Sequence, residues 1–463
     1  MDATGYAAVM ERRAEILERS LGVDYARLER HAGRFDYEAL MDVIGLDLDG
    51  IRDVQRASGV GATPLVELHN ITELVRRGAP PGKGARILVK DEAANPSGSF
   101  KDRRASLSAY HARRAGYPGM VTATSGNYGA GVASQAAHHG LRAIVIQEAF
   151  DSQGRGQPEI LEKGRKCEAL GAEVIQTTVG PELFYLLLRV LEETRYFNAS
   201  LYTPFSIRGI ETLGAEIAED TRALTGRDPD VVLATHAGGG MVTGTARGLR
   251  AAGARDTKVV GVSVDLTGLH MASDRAFNRK SFTTGHSGFS IPFTTWPDRV
   301  DVPRNAARPL RYLDRFVMVT QGEVFFATEL LARAEGLERG PAGNTALAAA
   351  IPIARELDSS EVIVISETEY TGAGKAPTPQ LSFAAEMGVD VRNGDREDDR
   401  PGEVISIPLS LGALGITPVD LERLRGSYVA KAGAVTGAGE PDALAFVAED
   451  VGLSLEGLAG LRS

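Results

Sequence analysis

From about residue 60 to residue 375, short apolar runs alternate with amphipathic stretches, and no other feature narrows the possible folds as much. The apolar runs at 85–90, 120–124, 143–147, 173–177, 231–235, 258–264, 316–320 and 361–366 have strand length. Between them, segments such as 128–139, 159–170, 181–194, 243–252, 322–334 and 345–357 carry apolar residues at helical spacing. Neighbouring parallel strands need a long crossover, and a helix supplies it, so this order predicts parallel sheets covered by helices. The fold class expected is α/β, with two open parallel-sheet domains.

The 463 residues leave room for further segments. Residues 1–60 show helical spacing at 6–20, 35–44 and 48–57 and read as an N-terminal helical arm. Residues 266–314 break the alternation; they are rich in Gly, Ser, Thr, Pro and aromatics, the composition of a long functional insertion. Residues 393–402 are acidic and read as a solvated linker to a C-terminal tail, 403–463, with helical stretches at 417–424 and 442–451. The division expected is an arm (1–60), a large domain (61–100 with 206–392), a small α/β domain (101–205), and the linker with its tail (393–463).

The formal charge of −10 and pI near 5.5 argue against nucleic acid as a partner. A single cysteine excludes a disulfide framework within the chain and fits a reducing cytoplasm. The first residues lack the basic-then-apolar layout of a secretory signal, and no apolar run approaches the roughly 20 residues of a membrane helix. No Cys/His cluster has metal-ligand spacing, so no metal is expected.

Three strand-to-helix junctions carry the chemistry. In the first, Asn95-Pro96-Ser97-Gly98-Ser99-Phe100-Lys101-Asp102-Arg103, a turn-rich segment places Lys101 at a helix start. The positive end of the helix dipole disfavours an ammonium there, and a neutral amine is what a Schiff-base lysine needs. Lysine is also scarce: nine of the 51 Lys and Arg residues. The second, Thr124-Ser125-Gly126-Asn127-Tyr128-Gly129, offers backbone N–H groups with Ser and Asn side chains to a carboxylate. The third runs from Thr235 through Gly238, Gly239, Gly240, Met241 and Val242 to Thr243, and its glycines let the backbone approach a phosphate at a helix N-terminus. It lacks Walker spacing, and taken singly an ordinary β–α turn would look the same. A lysine plus a phosphate cradle in one crevice is what pyridoxal 5'-phosphate requires.

These stretches resemble the motifs of the fold-type II pyridoxal-phosphate enzymes, the tryptophan synthase β-like superfamily that includes threonine synthase and cysteine synthase. Thr63-Pro64-Leu65, Gly209-Ile210-Glu211-Thr212 and Pro341-Ala342-Gly343-Asn344-Thr345 resemble further elements of that family in the same order. The resemblance implies that Lys101 holds the cofactor as a Schiff base and that Asn127 contacts its ring oxygen. It further implies that 238–243 bind its phosphate, and that Thr368, or failing it Ser366, faces the ring nitrogen.

A narrower resemblance is to the β-subunit family of 2-amino-4-oxopentanoate thiolases. It rests on 90–95, Gly156-Gln157-Pro158-Glu159-Ile160, Ser281-Phe282-Thr283-Thr284-Gly285-His286 and 367–375. It implies exchange of D-alanine plus acetyl-CoA for 2-amino-4-oxopentanoate plus CoA, through a carbanion or enamine at the β-carbon. Ornithine-fermenting bacteria use the cleavage direction. A small α subunit and a homodimer of this chain are the partners expected. Ser99, Thr124, Ser125, Gly126, Asn127, Tyr128 and His286 are the substrate-binding residues expected. His270 and arginines 299, 304, 308 and 311 of the insertion are candidates for proton transfer and for CoA phosphates, or else part of a solvated loop. Cys167 reads as a packed small side chain rather than an acyl carrier. The other readings are a different fold-type II reaction, β-elimination or β-replacement, and a non-catalytic partner subunit that kept the fold.

Overall fold

The computed structural model describes residues 4–31, 34–124, 126–151, 153–178, 180, 182–266, 300–304, 307–370, 377–436 and 441–460. Two sheets organise it. The larger has seven strands in the order Thr417–Pro418, Arg315–Val319, Lys258–Val264, Val231–Thr235, Val362–Glu367, Arg86–Asp91 and Leu65–Glu67. Its inner pairings are parallel, and only the two short edge strands run antiparallel. The smaller is parallel throughout, in the order Glu173–Thr178, Arg142–Phe150, Gly119–Thr124, Phe197–Asn198.

A strand covered on both faces reads as a continuous apolar run, and Val362–Glu367 is buried at every position. Its side chains alternate between two cores. Ile363 and Ile365 pack with Ala346, Leu347 and Ile351 of the helix Pro341–Glu356. Val362 and Val364 join Ile210, Leu213 and Val242, from the helices Pro204–Thr225 and Gly240–Ala251. The helix Lys101–Arg114 links Arg86–Asp91 of the large sheet to Gly119–Thr124 of the small one. Asp102 to Ala109 are all buried, as a helix lying between two layers requires.

Its largest fully buried side chain is Arg103. The guanidinium forks onto Glu92 (Nε to Oε2 2.7 Å, Nη2 to Oε1 2.8 Å) and onto Glu216 (Nη1 to Oε1 and Nη2 to Oε2, both 2.8 Å). Glu216 also meets the buried Lys90 amine at 2.9 Å. Burial alone would raise the Glu216 carboxyl, but Arg103 and Lys90 bring it down to about 2. This network ties the strand Arg86–Asp91, the lysine helix and the helix Pro204–Thr225 into one frame.

Elsewhere the structure departs from expectation. The helix expected at 243–252 starts at Gly240, so the glycines belong to its first turn. The stretch 417–424 opens as an edge strand, Thr417–Pro418, where a proline costs no ladder bond, and the helix follows at Leu421–Thr436. The acidic residues 393–402 connect two parallel strands, Asp390–Asn393 and Val404–Ile407. There the Asp399 carboxylate accepts from Gly322 N and Ser406 N at 3.2 Å, and Arg396 pairs with Glu323 at 3.0 Å. The segment has no buried residue, as a solvated linker should, and these contacts anchor it to the helix Gln321–Glu335. The 22-residue helix Pro204–Thr225 was not anticipated, although its Thr203 cap followed by Pro204 is a readable start signal.

The arm and tail meet over the end of the insertion. Arg308 lies over the Tyr37 ring (5.2 Å) and 3.5 Å from Asp450; Arg311 reaches Glu38 at 3.2 Å; Arg304 reaches Glu29 at 2.8 Å. These three arginines stitch segments together, which favours packing over a phosphate-binding role. Among the described residues no helix is long and apolar enough to cross a membrane.

Replacing Arg103 strands two carboxylates in a dry interior. Arg103→Leu should lower unfolding stability by about 3–5 kcal/mol in urea titrations. The folded Glu216 pKa lies below the unfolded value of 4.5, so its share of stability is complete above that pH. It is lost as pH falls toward 2, and wild type should show this acid dependence more strongly than Arg103→Leu, where Lys90 still pairs with Glu216.

Candidate active site

The lysine turn is pinned at both ends. Asn95 donates from Nδ2 to Glu92 O (2.9 Å) and accepts at Oδ1 from Gly61 N (3.0 Å). The Asp102 carboxylate accepts from Ser97 N at 2.6 Å, and Gly98 takes the left-handed φ of 76° that the bend demands. The turn also pairs with the chain leaving the central strand. Phe100 N donates to Thr368 O (3.1 Å), Tyr370 N donates to Gly98 O (2.9 Å), and Ser99 stands opposite Glu369. Ser99 is buried, so the loop after the last parallel strand closes one wall of the lysine site.

Lys101 is the first residue of its helix, and its Nζ lies 4.2 Å from the Phe100 ring centroid. Burial lowers its pKa to about 7; Arg104 and Lys163 push the same way, and Glu369 opposes them. The direction agrees with the sequence argument, and desolvation is its largest cause. The helix Asn127–His139 lies close alongside: a Cβ on Gly131 would stand 3.0 Å from the Lys101 carbonyl carbon, so glycine permits the approach.

Asn127 opens that helix at the end of the strand Gly119–Thr124. Its Nδ2 is buried with no hydrogen-bond partner among the described residues, as suits a donor awaiting a ligand. Thr124 Oγ1 accepts from Gly126 N at 3.0 Å and shapes the loop. Tyr128 is buried, its ring 5.5 Å from the Arg104 guanidinium, which places it as support for that arginine.

The glycines of the third junction are required by what lies against them. A Cβ on Gly238 would fall 1.4 Å from the Tyr202 hydroxyl, and one on Gly240 would fall 2.8 Å from Arg104 Nη2. Gly239 caps the helix Gly240–Ala251 with φ 86°. Met241 and Val242 bury their side chains in the core, and Thr243 Oγ1 donates to Gly239 O (2.9 Å), so these residues can offer a ligand only backbone N–H groups. Buried Arg104, three residues beyond Lys101, adds a cation beside this helix start.

At the strand end, Thr368 is buried and its carbonyl is taken by Phe100. The Ser366 hydroxyl is fully buried with no partner among the described residues. A near-neutral lysine, an unpartnered amide, a glycine turn at a helix start and a spare hydroxyl fit the demands of pyridoxal phosphate.

Sequence reasoning passed over Lys163, Glu369 and Arg104. Lys163, on the helix Pro158–Ala169, binds Glu159 at 2.5 Å and lies 3.8 Å from Glu369; Gln380 Nε2 secures Glu159 from the other side at 2.7 Å. Lys166 donates to Ser97 O in the lysine turn. The doubled arginine after Lys101 was a signal for Arg104; nothing in the sequence pairs Lys163 with a loop some two hundred residues away. Cys167 is buried in the core against the Gly129 position, and burial pushes its thiol up to about 12, against a weaker opposing pull from Lys166. A thiol so hard to ionise is a packing element. Ser125, His270, His286, Arg299 and residues 371–375 lie outside the described residues.

With a native pKa near 7, the Lys101 amine of cofactor-free protein should react with an acylating reagent on a pH profile centred near 7. An ordinary lysine centres at about 10.4. Peptide mapping of labelled Lys101 across pH 6–11 reads the midpoint; a midpoint near 10 would refute the buried-amine account.

A family model described as "Pyridoxal-phosphate dependent enzyme" matches residues 57–369. A 2-amino-4-ketopentanoate thiolase beta subunit from an unknown prokaryotic organism is 60% identical over 450 residues, covering 96% of this chain and 95% of the relative. One from Acetoanaerobium sticklandii is 58% identical, covering 92% and 91%. Among solved structures, cysteine synthase from Entamoeba histolytica superposes with a TM-score of 0.54 at 21% identity, over 71% of this chain and 94% of that one. The likeness there is one of fold. The chain therefore belongs to the pyridoxal-phosphate dependent enzymes and, within them, to the 2-amino-4-ketopentanoate thiolase beta subunits.

Proposed function

We propose that this chain is the cofactor-binding subunit of a thiolase that interconverts D-alanine plus acetyl-CoA with 2-amino-4-ketopentanoate plus CoA. The observation that carries this reading is the near full-length identity of 60% to a thiolase beta subunit, in a chain that keeps the lysine, asparagine and glycine junctions together. Bound pyridoxal phosphate supplies an electron sink that makes the carbons of an attached amino acid acidic.

The chain's own residues divide the remaining work. Lys101 holds the cofactor through Nζ and, once its amine is free, moves the proton at the substrate α-carbon. Its depressed pKa keeps that amine competent near neutral pH. Backbone N–H groups from Gly238 to Thr243 receive the phosphate at the helix start. Asn127 orients the ring through its unpartnered amide, and Thr368 or Ser366 offers a hydroxyl to the ring nitrogen. Ser99, Thr124, Ser125 and Gly126 bind the substrate carboxylate. The acyl group passes directly from CoA to the substrate carbon, because Cys167 is too buried and too weakly acidic to carry it.

The relatives are named as beta subunits, so a small α subunit completes the enzyme, and we assign this chain a homodimeric core in the cytoplasm. Incubation with D-alanine and acetyl-CoA should yield 2-amino-4-ketopentanoate and free CoA, read by mass spectrometry. Lys101→Ala should abolish both cofactor attachment and product, whereas Cys167→Ser should retain acyl exchange. Activity surviving in Lys101→Ala, or lost in a folded Cys167→Ser, would overturn these assignments.

A further inference from the structure

Transfer of an acetyl group to the methyl carbon of alanine breaks two C–H bonds, one at the α-carbon and one at the β-carbon. Lys101 accounts for the first, and returns that proton to the α-carbon once the new carbon–carbon bond has formed. The second needs another base within the same chamber, and the described acidic groups around Lys101 can be taken in turn.

Asp102 is committed to the turn: its carboxylate accepts from Ser97 N and from Gln135 Nε2 at 3.3 Å. Glu159 has both oxygens occupied, by Lys163 and by Gln380. Glu367 also has both oxygens without a hydrogen-bond partner among the described residues, but they are packed against the backbone at Gly343 of the helix Pro341–Glu356, where a Cβ would collide with Oε1. Glu369 differs from all three. It stands opposite Ser99 in the bridge between the two loops, and directly paired residues project their side chains to the same side. It is 4% exposed, and its Oε1 has no hydrogen-bond partner among the described residues. Lys163 lies 3.8 Å away, too far for a hydrogen bond but close enough to favour the charged carboxylate.

We propose that Glu369 is the second proton-transfer group of the site, serving the β-carbon of bound alanine while Lys101 serves the α-carbon. This rests on the thiolase reading above. A methyl C–H bond breaks, and its proton goes to a Glu369 oxygen. The electron pair left on carbon attacks the thioester carbonyl; the C–S bond then breaks, and its electrons leave with the CoA sulfur. Glu369 returns the proton to that sulfur, so alanine and acetyl-CoA give the ketone and CoA with no other reactant. Lys163 holds the carboxylate in place and is a positioning residue. Burial raises the Glu369 carboxyl above its ordinary range, against the pull of Lys163, which makes it a stronger base than an exposed glutamate.

The test is hydrogen exchange by NMR of D-alanine in D2O with the cofactor-loaded enzyme, including its α subunit. Wild type should exchange both the α-hydrogen and the methyl hydrogens. Glu369→Gln should keep α-exchange within about threefold and lose methyl exchange by roughly 100-fold or more, the span of general base catalysis. Glu369→Asp, which keeps a carboxylate, should restore part of it. Methyl exchange intact in Glu369→Gln, or both exchanges lost together, overturns the proposal. Wild type that exchanges only the α-hydrogen, even with acetyl-CoA present, overturns the acyl-transfer reading instead. A second readout uses cofactor-free protein: Glu369 favours the Lys101 ammonium, so Glu369→Gln should label faster at Lys101 at pH 7. Unchanged labelling would place Glu369 away from the amine and also count against it.

Discussion

The double fork of Arg103 onto Glu92 and Glu216 is the contact on which the rest of the site depends. A buried ion network of this kind adds little net stability, since desolvation consumes much of the attraction. What it fixes is geometry. Arg103 is two residues from Lys101, so holding its guanidinium in one place holds the start of the lysine helix. Glu92 follows the strand Arg86–Asp91, and Glu216 belongs to the helix Pro204–Thr225, which packs on the helix carrying the glycine cap. One planar group thereby sets the lysine turn relative to the glycine turn.

Around that frame the site is tuned by exclusion of water more than by any single charge. Desolvation is the largest influence on Lys101, on Cys167 and on Glu369, yet it acts in opposite chemical senses. It leaves the amine near neutrality and so reactive, keeps the thiol protonated and so inert, and strengthens the carboxylate as a base. The cations Arg104 and Lys163 then divide the chamber, one beside the glycine loop and one beside the glutamate.

Much of the fold was legible because its signal is local. The strands Val231–Thr235 and Lys258–Val264 and the helix Leu48–Ala57 fall where apolar spacing puts them. A central parallel strand cannot hide its continuous apolar run. What was missed is not local. Residues 393–402 are solvated as their composition says, yet Asp399 finds backbone N–H groups that only the folded chain brings near. Thr417–Pro418 was read as helix because its edge position is invisible without its neighbour.

By itself the sequence determined the α/β class, the order of the three loops and the position of the lysine to which we assign the chemistry, since each is written in contiguous residues at a strand end. The tertiary structure alone decided the environment of that lysine. The pairing of Ser99 with Glu369, the reach of Lys163 from a separate helix and the burial of Cys167 join residues far apart in sequence. Proton affinity depends on the solvent and charge around a group, and those surroundings exist only after the chain has closed on itself.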